Sequence, residues 1–173
     1  MKTRPGSTDK VVRLLGHVAD QVHAAVGIAP LVVIPAHEFE EAAVQLDAAA
    51  RIEKALAKRT GVSARVTVLT AVELTAAMTE NPLLEVASDR SRLLVAFLRD
   101  PSDRRKLEPL TKQNWAPETL AIGTRVAYLW CPEGILASRL AEAVNRALGD
   151  AVTARNWATV LKLHALTVDN PGG

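Results

Sequence analysis

Hydrophobic residues recur along this chain at two spacings, and the switch between them marks out the elements. Over residues 9–26, Val11, Leu15, Val18 and Val22 fall on one helical stripe and Arg13, His17 and Asp20 on the other, which predicts an amphipathic helix. A short apolar run at 31–34 is ended by Pro35. Over 38–59 the chain is rich in alanine. A helix there buries Ala48, Ala49, Ile52, Ala55 and Leu56, turns Asp47, Arg51, Lys54 and Lys58 to water, and is stopped by Gly61. Residues 65–69 alternate with Val66 and Val68 on one face, and Thr70 followed by Glu73 makes a capping box for a helix that ends before Pro82. The polar stretch 85–91 sets the main boundary, dividing a first half, 1–84, from a second, 85–173.

In the second half, residues 93–98 are apolar on both faces, as a central strand would be, and Asp100-Pro101 supplies the N-cap and first residue of a short helix. Residues 119–122 and 126–130 flank Gly123-Thr124, which reads as a two-residue hairpin turn with glycine at a positive φ. A helix over 135–148 is stopped by Gly149, an extended piece follows at 151–155, and a last helix covers 157–168. Strand, helix, strand, strand, helix, strand is the split β-α-β pattern of the ferredoxin-like fold. The expected class is therefore α+β, with a ferredoxin-like second half and an incomplete or diverged ferredoxin-like first half. A strand at 31–34 left without a partner would expose a sheet edge, which makes a homo-oligomer one of the expected states.

Composition narrows the function classes. A 49% hydrophobic and 23% charged balance is that of a soluble globular protein. Twenty-one basic and 19 acidic side chains leave a net charge of +2, too slight a field to predict nucleic-acid or membrane partners. No apolar run reaches the roughly 18–20 residues that span a bilayer, and the polar residues 1–10 lack a secretory signal, so a cytoplasmic location is expected. Cys131 is the only cysteine, which excludes an intrachain disulfide and a cysteine-based zinc site; it reads as a small apolar residue. His17 and His23 are six apart and point away from each other on a helix, and His37 with Glu41 has no further ligand at suitable spacing. No metal and no cofactor is expected.

The sharpest polar constellation is Arg155-Asn156-Trp157 with Thr159 and Lys162. With Asn156 as N-cap, the free N–H groups of a first helical turn and the Arg155 fork of donors suit a phosphate or carboxylate, and Ser138 and Arg139 would add a second contact if their helix docks nearby. The competing account is architectural: Asn156 caps, Trp157 and Val160 fill the core, and His164 packs on the same stripe. Tyr128 and Trp130 share a strand face, the arrangement of a single-strand RNA stacking platform, although no basic-aromatic signature flanks them. Arg99, Arg104, Arg105, Lys106 and Lys112 form the densest positive run and read first as a solvated face.

These blocks also carry a resemblance. Ala50-Arg51-Ile52-Glu53-Lys54-Ala55-Leu56, Glu80-Asn81-Pro82, Val95-Ala96-Phe97-Leu98, Tyr128-Leu129-Trp130 with Pro132 and Gly134, Ser138-Arg139-Leu140, and Thr153-Ala154-Arg155-Asn156-Trp157 with Thr159, Val160, Lys162 and Leu163 resemble the bacterial domain-of-unknown-function 1697 family over about residues 48–173. The resemblance implies two ferredoxin-like halves in one chain. The family's Arg-Gly-Ile-Asn-Val-Gly-Gly loop and Ser-Gly-Asn turn do not occur in this sequence. The leading expectation is a non-enzymatic binding or assembly module with one anionic small-ligand site at Arg155, Asn156, Lys162, Ser138 and Arg139. The alternatives are an enzyme acting on a phosphorylated or carboxylated metabolite and, more weakly, RNA binding on the sheet face.

Overall fold

β1 (Leu31–Ile34) runs parallel to β2 (Thr67–Thr70), with Leu31 opposite Thr67 and Ile34 opposite Thr70. The computed structural model describes residues 31–34, 42–61, 63 and 65–168; the helix expected at 9–26, together with His17, His23, His37 and Glu41, lies outside the described residues. The pairing of β1 corrects the expectation of a strand without a partner. A parallel partner must come from beyond a crossover, and α1 (Ala42–Thr60) supplies it. On α1, Ala49, Ile52 and Leu56 are buried against Val66 and Val68, while Arg51, Lys54 and Lys58 are exposed, as the periodicity requires. Gly61 ends the helix at φ +70°, with its N–H donating to Ala57 O at 2.9 Å.

All four residues of β2 are buried. Thr70 then starts α2 (Ala71–Thr79) through a full capping box: its hydroxyl accepts from Glu73 N at 3.1 Å, and the Glu73 carboxylate accepts from Thr70 N at 2.8 Å.

The remaining strands are β3 (Leu93–Leu98), β4 (Thr119–Ile122), β5 (Val126–Trp130) and β6 (Val152–Asn156). They form one sheet in the order β4-β5-β3-β6, every neighbouring pair antiparallel. The class is α+β. After β3 the chain forms a 3-10 segment (Pro101–Leu107), capped by Asp100 accepting from Ser102 N at 2.8 Å, and a single turn, α3 (Glu108–Thr111). α4 (Arg139–Leu148) begins later than the sequence suggested. Residues Ile135–Ala137 form a separate 3-10 turn, and Ser138 takes the N-cap. α5 (Trp157–Val168) follows β6 directly.

Strand alternation divides the core in two. Val95, Phe97, Tyr128 and Trp130 point to one face and pack with Leu69, Leu74, Ala77, Trp157 and Val160, so that face is covered by β2, α2 and α5. Ala96, Leu98, Ala127 and Leu129 point to the other and pack with Leu107, Leu140, Val144 and Leu148. A buried hydrogen bond of 2.9 Å between Thr67 Oγ1 and Thr153 Oγ1 ties β2 to β6.

The β4–β5 turn differs from its expected form. Gly123 does not have a positive φ, and the turn takes in Arg125 as well as Gly123-Thr124. Glycine is needed at 123 for room: a Cβ there would lie 2.9 Å from Val126 Cγ2 and 3.4 Å from Tyr128 Cε2.

Candidate functional site

The constellation at 155–162 straddles the join between β6 and α5. Arg155 lies opposite Val95 in the β3–β6 ladder, and so shares the sheet face covered by α5. Its Nη1 donates to Ala154 O at 2.7 Å, and partial burial pulls the guanidinium below its ordinary pKa. Asn156 Oδ1 accepts from Thr159 N at 2.9 Å, an N-cap bond that satisfies one orphan donor of the first turn of α5. Trp157 and Val160 are buried in the core next to Phe97 and Tyr128. Lys162 is exposed, and His164 is half-buried with Nε2 3.2 Å from Thr75 Oγ1.

Ser138 and Arg139 are placed elsewhere. Ser138 Oγ caps α4 by accepting from Ala141 N at 2.9 Å and lies 3.3 Å from Cys131 Sγ. Leu140, Val144 and Leu148 seat α4 on the face with Ala96 and Leu129, opposite the face that carries Arg155 and α5. Arg139 is exposed. The structure thus brings Arg155, Asn156 and Trp157 together and leaves Ser138 and Arg139 across the sheet. Cys131 is fully buried, and burial, the largest influence, pushes its thiol pKa up.

The aromatic pair is packed inside the molecule. Tyr128 is 1% exposed and its hydroxyl donates to Ala77 O at 2.9 Å, near the C-terminus of α2. Trp130 is buried on the same face, so the two rings do not form an open stacking surface. Among the described residues no group of three His, Cys, Asp or Glu side chains gathers as a metal site would require, and no helix is long and apolar enough to cross a membrane.

The polar centre that sequence reasoning missed is Arg125. Nε donates to Leu98 O at 3.1 Å, Nη1 to Glu73 Oε1 at 2.6 Å, and Nη2 to Val68 O at 3.0 Å and Arg99 O at 3.1 Å. One planar fork therefore joins β2 and α2 to the end of β3. The available signal was a lone charged residue between a hairpin turn and the wholly apolar stretch Val126–Trp130. A second clamp lies nearby: Glu53 of α1 accepts from Val66 N at 2.8 Å and from Arg99 Nη1.

Chemically, these groups hold the protein together. Caps, a buried phenol and a saturated guanidinium each bind backbone or a structural carboxylate.

No curated protein and no solved structure matches the chain. The model of one family, described as a protein of unknown function (DUF1697), matches residues 32–128, from within β1 to Tyr128 on β5. Because that match covers 97 of 173 residues and runs from the parallel β1–β2 unit into the antiparallel sheet, the chain belongs to the DUF1697 family of proteins of unknown function.

Proposed function

We propose that this chain is a non-enzymatic binding or assembly module of the bacterial cytoplasm, built in its second half on a ferredoxin-like sheet. One observation carries the reading: the oxygens of Ser138, Asn156 and Tyr128 are each engaged with the protein's own backbone. Groups held in this way fix helices and strands in place and make a rigid platform for contacts. The strand order of the four-stranded sheet supports the architectural part.

A second reading is favoured by one feature. Arg155 stands on β6 two residues before the first turn of α5, whose N–H groups suit an anion. That site would use Arg155, Asn156 and Lys162. An enzyme handling a phosphorylated or carboxylated metabolite would need the same anion within reach of a hydroxyl, and the opposite placement of Ser138 weighs against it.

A thermal-shift screen of the full chain against phosphate, nucleotides, sugar phosphates and small carboxylates tests the proposal. The module reading expects no saturable shift with these ligands. A saturable shift accompanied by turnover of the ligand would overturn it in favour of an enzyme.

A further inference from the structure

We propose that two copies of this chain associate through β4, the free edge of one pairing antiparallel with the same edge of the other. The inference rests on the assembly reading above and names the partner, a second copy. β4 stands at the end of the order β4-β5-β3-β6, so among the described residues it has a ladder on one side only.

Which groups face outward follows from the hairpin. Gly123 N donates to Val126 O at 2.8 Å, and the register sets Ile122 opposite Ala127, Ala121 opposite Tyr128 and Leu120 opposite Leu129. Bonded and non-bonded pairs alternate along an antiparallel ladder. Ala121 and Thr119 therefore bond to β5, and the N–H and C=O groups of Leu120 and Ile122 point away from it.

A two-fold axis at Ala121 sets Leu120 of one copy against Ile122 of the other. Each such pair exchanges two backbone hydrogen bonds, and the axis generates the pair twice, so four bonds form from groups that have no strand partner among the described residues. An edge paired with itself in this way is complementary donor to acceptor whatever its side chains.

The side chains permit it. Thr119-Leu120-Ala121-Ile122 contains no charged residue and no proline, the usual guards of an exposed edge. Leu120 and Ile122 are only half-buried against the α4 side of the core, and pairing brings each under its counterpart. β6, at the opposite edge, carries Arg155, a charge of the guarding kind.

Sedimentation equilibrium of the full chain across the micromolar range tests this. The expected mass is twice the 18.6 kDa of one chain. Leu120→Pro removes an outward N–H without touching the β5 ladder, which an edge strand tolerates, so this variant is expected at the mass of one chain with unchanged circular dichroism. Wild-type protein at the mass of one chain throughout overturns the proposal, as does a folded Leu120→Pro that keeps the doubled mass. Should Leu120→Pro fail to fold, amide exchange of the wild type decides. Protection at Leu120 and Ile122 that rises with protein concentration supports the pairing, and protection independent of concentration overturns it. A chain found to be single leaves the module reading standing, because that reading falls on a different result, ligand-dependent stabilisation with turnover.

Discussion

Arg125 and Glu73, 52 residues apart, meet at 2.6 Å with the arginine side chain 8% exposed. Glu73 thereby does two jobs: one carboxylate oxygen closes the capping box on Thr70 N, and the other anchors the guanidinium that also binds Val68, Leu98 and Arg99 carbonyls. Replacing Arg125 with methionine removes this charge partner from the carboxylate and leaves three carbonyls without this donor. The expected loss is about 3 kcal/mol, the lower end for breaking a buried pair because Glu73 keeps part of its side chain in water. Arg125→Lys should recover only part of it, since an ammonium cannot reach the same set of acceptors as the planar fork. Urea unfolding of the two variants measures both values.

Tyr128 gives the protein an alkaline limit. Burial, reinforced by Glu80, pushes its phenol up from the ordinary value near 10 to about 12. In the unfolded chain the phenol loses its proton first, so ionisation favours unfolding. The stability Tyr128 contributes is whole below about pH 10 and is lost as pH rises toward about 12, a fall of roughly 2–3 kcal/mol. Stability measured against pH for wild type and Tyr128→Phe should differ in slope across this window, with the phenylalanine variant lacking the tyrosine step.

Adjacent residues at the start of α5 should behave very differently. Asn156→Ala removes the single bond to Thr159 N and should cost about 1 kcal/mol, while Asn156→Asp keeps an acceptor and should cost little. Trp157→Ala empties a buried site beside Val160 and should cost about 3–5 kcal/mol. Denaturation midpoints of the three variants, at equal slope, check the ordering.

What the sequence made legible was local. The Thr70–Glu73 capping box, the stripe Ala49, Ile52 and Leu56 on α1, and the cap at Asn156 each depend on residues within a few positions of one another, and all three form as read. Relationships across distance were not legible. No pattern at 31–34 tells that β1 will meet β2, because parallel pairing is decided beyond a crossover. Nor does spacing reveal that α4 and α5 take opposite faces, which separates Ser138 from Arg155. Arg125 escaped for a related reason: its acceptors at Val68, Glu73, Leu98 and Arg99 lie 26 to 57 residues away along the chain, and only the folded backbone gathers them.

The central claim is that the block at 155–162 builds the fold and is not organised around a ligand. Its most direct test is urea unfolding of wild type and Arg155→Ala, each with and without saturating phosphate. The account predicts that the substitution lowers stability by the same amount in both buffers and that phosphate leaves the wild type unchanged. Phosphate that stabilises the wild type and loses its effect in Arg155→Ala would contradict it.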